Sequence, residues 1–209
     1  DIYNIFDNIS PDRREEALDT IIDRFDGYAI SEIIQKYIPF RQRKNILYKY
    51  EDIIDSISKV SIILKMPVED KIEVAEKYAN EISKINMAEI VASFPEETIS
   101  DSTIKFAKNM SMAQISDIIM YNIPENRRKE TLINISDYLS SGVISDIIKY
   151  SLKNEDRKDA IIALREKLNE KHIAEIIQNF LKDDIELINM LKDKMDIEDV
   201  IYFKNAEAE

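Results

Sequence analysis

Cysteine and tryptophan are absent from this 209-residue sequence, histidine occurs once, glycine twice and proline five times. Each shortage closes a class of chemistry. Without cysteine there is no disulfide scaffold, no cysteine-based zinc site, no iron–sulfur cluster and no thiol catalysis. One histidine cannot build a multi-histidine metal site, and two glycines are too few for a phosphate-cradling loop. Long apolar runs are also missing. The longest is five residues, Ala160 to Leu164, and most are shorter, as at Ile62-Ile63-Leu64, against the roughly 20 that span a bilayer. No secretory signal is visible. The expectations are no membrane insertion and a cytoplasmic location.

What is present points to a folded helical chain. Hydrophobic residues make up 44% and charged residues 33%, with 41 acids against 29 bases and a formal net charge of -12. That hydrophobic fraction is too high for disorder. The acidic excess repels nucleic acid and anionic lipid at long range, so nucleic acid is a disfavoured partner.

The five prolines, Pro11, Pro39, Pro67, Pro95 and Pro124, are spaced by 28, 28, 28 and 29 residues. Fixed self-similarity of this kind marks a repeat array. Units laid out on that period start at Ile2, Ile30, Ile57, Met87, Ile115, Ile144, Ile173 and Ile197. Each reads as a short helix A, such as 116–123, then a proline, then a longer helix B. Ser31, Ser116 and Ser145 are expected to cap helix A. Helix B is striped by residues such as Leu132, Ile135, Tyr138 and Leu139, or Ile161, Leu164 and Leu168. Proline is expected to open helix B, and Gly27 and Gly142 to close it in the left-handed conformation. One such pair cannot bury its own stripe, but stacked pairs can. The expected fold is all-α, an α-solenoid (right-handed superhelix) of about seven αα-hairpin repeats with a period of about 28. One domain is expected over 1–204, with a polar tail at 205–209. The first unit opens without a polar cap, which favours homodimerisation through the end repeats or a missing neighbour.

The stretches Ile9-Ser10-Pro11-Asp12-Arg13-Arg14 and Ile123-Pro124-Glu125-Asn126-Arg127-Arg128 resemble the repeats of flagellar motor switch protein G. They are also similar to the N-terminal domain of MgtE-type magnesium transporters. The paired prolines common in those families are absent here. The resemblance implies a superhelical stack of short helices with an interaction or regulatory role, and carries no binding residues.

A basic cluster recurs at the start of helix B: Arg13 and Arg14; Arg41, Arg43 and Lys44; Arg127, Arg128 and Lys129; Arg157 and Lys158. It is reduced to Lys71 in the third unit and missing from the fourth. Arginine forks suit an acidic peptide, a phosphate or a C-terminus. The competing expectation is pairing with acids of helix A such as Glu32, Asp117, Asp146 and Glu175. Cations at a helix N-terminus oppose its dipole, so something must offset them.

Other chemistry is weaker. His172 has no nucleophile beside it in sequence. The acids Asp183, Asp184 and Glu186, and Asp196, Glu198 and Asp199, read as solvated faces rather than a metal site. Tyr37, Phe94, Tyr121, Tyr150 and Phe180 read as core. The expected function is a non-enzymatic scaffold binding a protein or acidic peptide partner, without cofactor, metal or catalytic residue. A nucleic-acid-binding helical repeat, and a carboxylate enzyme or cation sensor using a divalent ion, are the alternatives.

Overall fold

A computed structural model describes residues 2–196 of the chain. The expected unit beginning at Ile197, with Glu198 and Asp199, and the expected tail at 205–209 lie outside the described residues. Among the described residues there are fourteen α-helices and no strand. The helices fall into two compact units, one running to Phe94 and the other starting at Pro95.

The first unit holds α1 (Ile2–Asp7), α2 (Arg14–Ile21), α3 (Gly27–Tyr37), α4 (Arg43–Lys49), α5 (Ser56–Leu64), α6 (Val68–Lys77) and α7 (Lys84–Ala92). Here α3 packs on α5, and α5 on α7. The second unit holds α8 (Glu96–Phe106), α9 (Met112–Asp117), α10 (Glu125–Ile135), α11 (Ser141–Ser151), α12 (Asn154–Leu164), α13 (Glu170–Ile176) and α14 (Ile185–Leu191). In it α11 packs on α9 and α13, while α10 packs on α8 and α12. Within each unit helix A therefore lies on helix A, and within the second unit helix B also lies on helix B.

Proline acts as the spacing predicts. Pro67, Pro95 and Pro124 are the N-caps of α6, α8 and α10, and Pro39 caps the 3-10 turn that leads into α4. Pro11 opens the turn before α2. Each sits where a missing N–H costs nothing. Lys153 takes this place before α12.

Helix A starts earlier than expected. Ser31, Ser116 and Ser145 lie inside α3, α9 and α11. Ser31 and Ser145 are buried. The caps are Asp26, Asp55, Ser83, Ser111, Ser140 and Asn169, whose side chains accept from backbone N–H groups two or three residues on. Ser111 and Gln114 complete a reciprocal capping box. These six polar residues recur every 28 or 29 positions, a second copy of the proline rhythm.

The glycines do not close helix B. Gly27 and Gly142 lie in the first turn of α3 and α11, and no described residue has positive φ. Gly27 is there for space: a Cβ would lie 2.6 Å from the Ile53 carbonyl oxygen.

Isoleucine is the largest part of the core. Ile30, Ile33, Ile34, Ile62 and Ile63 in the first unit, and Ile144, Ile147, Ile148, Ile173, Ile176 and Ile177 in the second, are fully buried. Leu132, Ile135, Ile161 and Leu164 are buried as their stripe requires, whereas Tyr138 is exposed. Of the aromatics expected in the core, Tyr37 and Phe94 are buried, but Tyr121 and Tyr150 are 76% and 69% exposed. Tyr121 lies in a π-helical turn, Ile118–Asn122, that continues α9. Phe180 lies under the Arg157 guanidinium, 3.9 Å from the ring centre.

Candidate functional site

Four arginines of the recurring basic cluster do the same thing. Arg14 donates from Nε to the Ile9 carbonyl (3.1 Å) and from Nη1 to the Tyr37 carbonyl (3.0 Å). Arg43 donates to Ile38 (3.2 Å), Gln35 (2.6 Å) and Lys65 (2.6 Å). Arg128 donates to Ile123 (2.9 Å) and Ser151 (3.1 Å). Arg157 donates to Ile148 (3.0 Å) and Lys149 (2.8 Å), and its Nη1 meets Asn154 Oδ1. All the carbonyls lie at or just past the end of a helix A, where the last turn has no intrahelical donors. Arg14, Arg43 and Arg128 each bridge the end of their own helix A and the end of the next. This resolves the dipole problem: each cation belongs by sequence to the start of helix B, but its charge rests against the negative end of helix A. Burial pulls Arg43 and Arg157 below the ordinary arginine value.

Lys71 occupies the arginine place in the third pair. It is 5% exposed and donates to Ser93 Oγ at 2.9 Å. Ile99 occupies that place in α8, so the tie is absent there.

The lysines that follow the arginines reach the next helix B. Lys44 bridges Asp70 (2.8 Å) and Glu73 (2.9 Å) of α6. Lys129 bridges Asp156 and Asp159 of α12, both at 2.8 Å. Lys158 meets Asp184 at 2.9 Å and Glu186 at 3.7 Å. Hydrogen bonds to Asp70 and then Glu73 raise the Lys44 ammonium above its ordinary value; Asp156 and then Asp159 do so for Lys129. The acids named from sequence are not these partners. Asp146 and Glu175 pair instead with Lys149, at 3.1 and 3.4 Å. Glu32 and Asp117 have no ion-pair partner among the described residues.

Two members of the cluster, Arg13 and Arg41, are exposed, and a third, Arg127, is half-buried. Arg13 is 71% exposed, lies 3.6 Å from Glu16 and lines an open cleft of about 430 Å³ with Asn8, Ser10 and Thr20. Arg127 meets Asp101 at 2.9 Å. Arg41 is exposed and has no hydrogen-bond or ion-pair partner among the described residues.

His172 does have a hydroxyl beside it, which sequence reading missed because it comes from the preceding pair. Ser141 Oγ lies 2.7 Å from His172 Nδ1 and accepts from the Asn169 N–H at 2.9 Å. Since Asn169 caps α13, the contact joins the starts of two neighbouring A helices. Asp184 caps α14 through the Leu187 N–H at 3.0 Å and also holds Lys158. Among the described residues no group of three or more histidines or carboxylates is placed to hold a metal ion. No helix among them is long and apolar enough to cross a membrane. Comparison with protein-family models, curated proteins and solved structures finds no match to the chain.

Proposed function

We propose that the protein is a non-enzymatic scaffold, an α-solenoid (right-handed superhelix) of seven αα-hairpin repeats that docks a partner protein or peptide. One observation carries the reading. The same two ties recur at the same place in the repeat, arginine to the helix A ends and lysine to the next helix B. Units joined only to their neighbours by repeated contacts build an extended surface rather than an enclosed pocket.

On this reading Arg14, Arg43, Lys44, Arg128, Lys129, Arg157 and Lys158 fasten pair to pair. Arg13 and Arg41 are the cluster members available to an acidic group on a partner, and Arg127 joins them where a partner's acid displaces Asp101. Two experiments test it. Excision of one period, residues 112–140, joins the Ser111 cap to Ser141, and an array of repeats then still folds with undiminished helicity per residue. For docking, immobilised protein is exposed to lysate of its native host, and the captured protein is purified and titrated. A one-to-one complex with Kd below about 10 μM supports the scaffold. Failure of every captured protein to bind when purified overturns it.

A further inference from the structure

Three large apolar side chains in the first unit face solvent at one position of the repeat. Tyr28, Ile57 and Ile85 each lie two residues after a capping residue, Asp26, Asp55 or Ser83, and are 66%, 71% and 72% exposed. Because α3 packs on α5 and α5 on α7, the three form a row across adjacent helix starts. Ile53, 43% exposed, adjoins the row, since its carbonyl oxygen lies against Gly27 at the start of α3. A single exposed isoleucine needs no explanation, but a contiguous set does. The repeat itself does not demand it. The same position in the second unit carries Ala113, Gly142 and Lys171.

The surroundings of the row are acidic. One helical turn beyond Tyr28 and Ile85, on the same face, stand Glu32 and Glu89. Asp52 precedes Ile53 and is exposed. None of these three carboxylates has an ion-pair partner among the described residues. Of the nearby cations, Lys59 is buried against Glu81 at 2.6 Å, and Arg24 before α3, Lys36 late in α3 and Lys84 in α7 are exposed. The carboxylates that face Lys44, Lys129 and Lys158 are tied to those lysines; Glu32, Asp52 and Glu89 are left for something else.

We propose that the α3–α5–α7 face docks a basic amphipathic helix of a partner protein. This rests on the scaffold reading and names the chemistry of one partner. Packed helices stand about 8–10 Å apart, and a helix rises about 1.5 Å per residue. A ligand helix lying across the three starts therefore meets Tyr28, Ile57 and Ile85 with apolar residues about five to seven apart, in the helix-in-groove mode. Its flanking lysines and arginines face Glu32, Glu89 and Asp52. A second copy of this face, or an anionic bilayer, would bring like charges together.

The test uses the full chain and a fluorescent 21-residue helical peptide with leucines at every third or fourth position and lysines on its polar face, followed by anisotropy. Saturable one-to-one binding is expected. Ile57→Glu and Ile85→Glu each weaken it at least tenfold with circular dichroism and melting midpoint unchanged. Glu32→Lys with Glu89→Lys does the same, and Glu130→Lys on α10 has no effect. A peptide with glutamate for lysine binds at least tenfold more weakly. If Ile57→Glu binds as wild type does, the peptide sits elsewhere, and this face falls while the scaffold reading stands. Equal binding of the acidic peptide, or no saturable binding of the basic one, overturns the proposal. So does self-association that Ile57→Glu abolishes, which assigns the face to a second copy. The scaffold reading is decided separately by the captured host protein.

Discussion

The guanidinium of Arg43 donates to the carbonyl oxygen of Lys65 at 2.6 Å while holding Ile38 and Gln35 at the end of its own helix A. One side chain thus caps two helices and sets the distance between them. Charge-assisted hydrogen bonds of this kind are worth about 1.5–3 kcal/mol each when lost from a part-buried site. Arg43→Ala and Arg128→Ala are each expected to lower unfolding free energy by about 2–3 kcal/mol, read from urea denaturation. Arg43→Lys recovers little, because an ammonium lacks the planar fork.

Lys71 provides the opposite case. Its ammonium is buried with a single hydroxyl, Ser93 Oγ, as hydrogen-bond acceptor, and burial holds it below the ordinary 10.5. An apolar residue of similar volume avoids that cost, so Lys71→Met is expected to stabilise the chain by about 1 kcal/mol. The lowered value means the unfolded chain binds the extra proton more readily. Wild type therefore gains stability as pH rises from that lowered value towards 10.5, and Lys71→Met does not. Melting midpoints at pH 7 and pH 10 separate the two.

The two glycines are expected to respond in opposite directions. Gly27→Ala places a Cβ 2.6 Å from the Ile53 carbonyl oxygen, forcing the turn before α5 away from α3. At Gly142 the nearest atom is on the His172 ring at 3.8 Å, an ordinary contact. Gly142→Ala is expected to stabilise by about 0.5–1 kcal/mol through helix propensity, and Gly27→Ala to destabilise by about 1–3 kcal/mol. Thermal melts of the two variants decide it.

The lysine bridges set an acid limit. The hydrogen bond from Lys129 holds Asp159 below its ordinary 3.8, and that from Lys158 does so for Asp184. A carboxylate with a lowered value contributes stability above its ordinary value and loses it as pH falls through the lowered one. Lys129 and Lys158 are raised, so their contribution is complete below 10.5 and fades only above it. The bridges themselves therefore contribute fully between about pH 5 and pH 10, and stability is expected to fall below about pH 4, less steeply in Lys129→Gln and Lys158→Gln. Melting midpoints from pH 7 to pH 2.5 measure the difference.

The helix pairs were legible in the prolines because a ring without an N–H has few places to go. The capping residues were equally regular but harder to find: Asp26, Asp55, Ser83, Ser111, Ser140 and Asn169 share only the ability to accept a hydrogen bond, and acids and serines are common in this chain. The apolar unit starts drew attention instead, which placed Ser31 and Ser145 at the helix edge when both are buried. The basic cluster was legible as a pattern but not as a role. Arg14 and Arg128 are adjacent in sequence to Arg13 and Arg127, yet the inner residue of each pair turns towards carbonyls, while Arg13 faces solvent and Arg127 meets Asp101. Neighbouring residues on a helix point about 100° apart, and only the packed structure says which direction is filled. Ser141 and His172 lie 31 residues apart, and no local signal joins them.

The cross-pair ties all join residues close along the chain. Arg43 and Lys65 are 22 apart, Arg128 and Ser151 23, Lys129 and Asp159 30, and Ser100 and Thr131 31. Closing such short loops costs little chain entropy, and chains dominated by near contacts fold quickly. A nascent chain that has exposed two pairs already possesses both partners of every tie between them. Folding can therefore keep pace with synthesis, each new pair finding its carbonyls and carboxylates on the one before it.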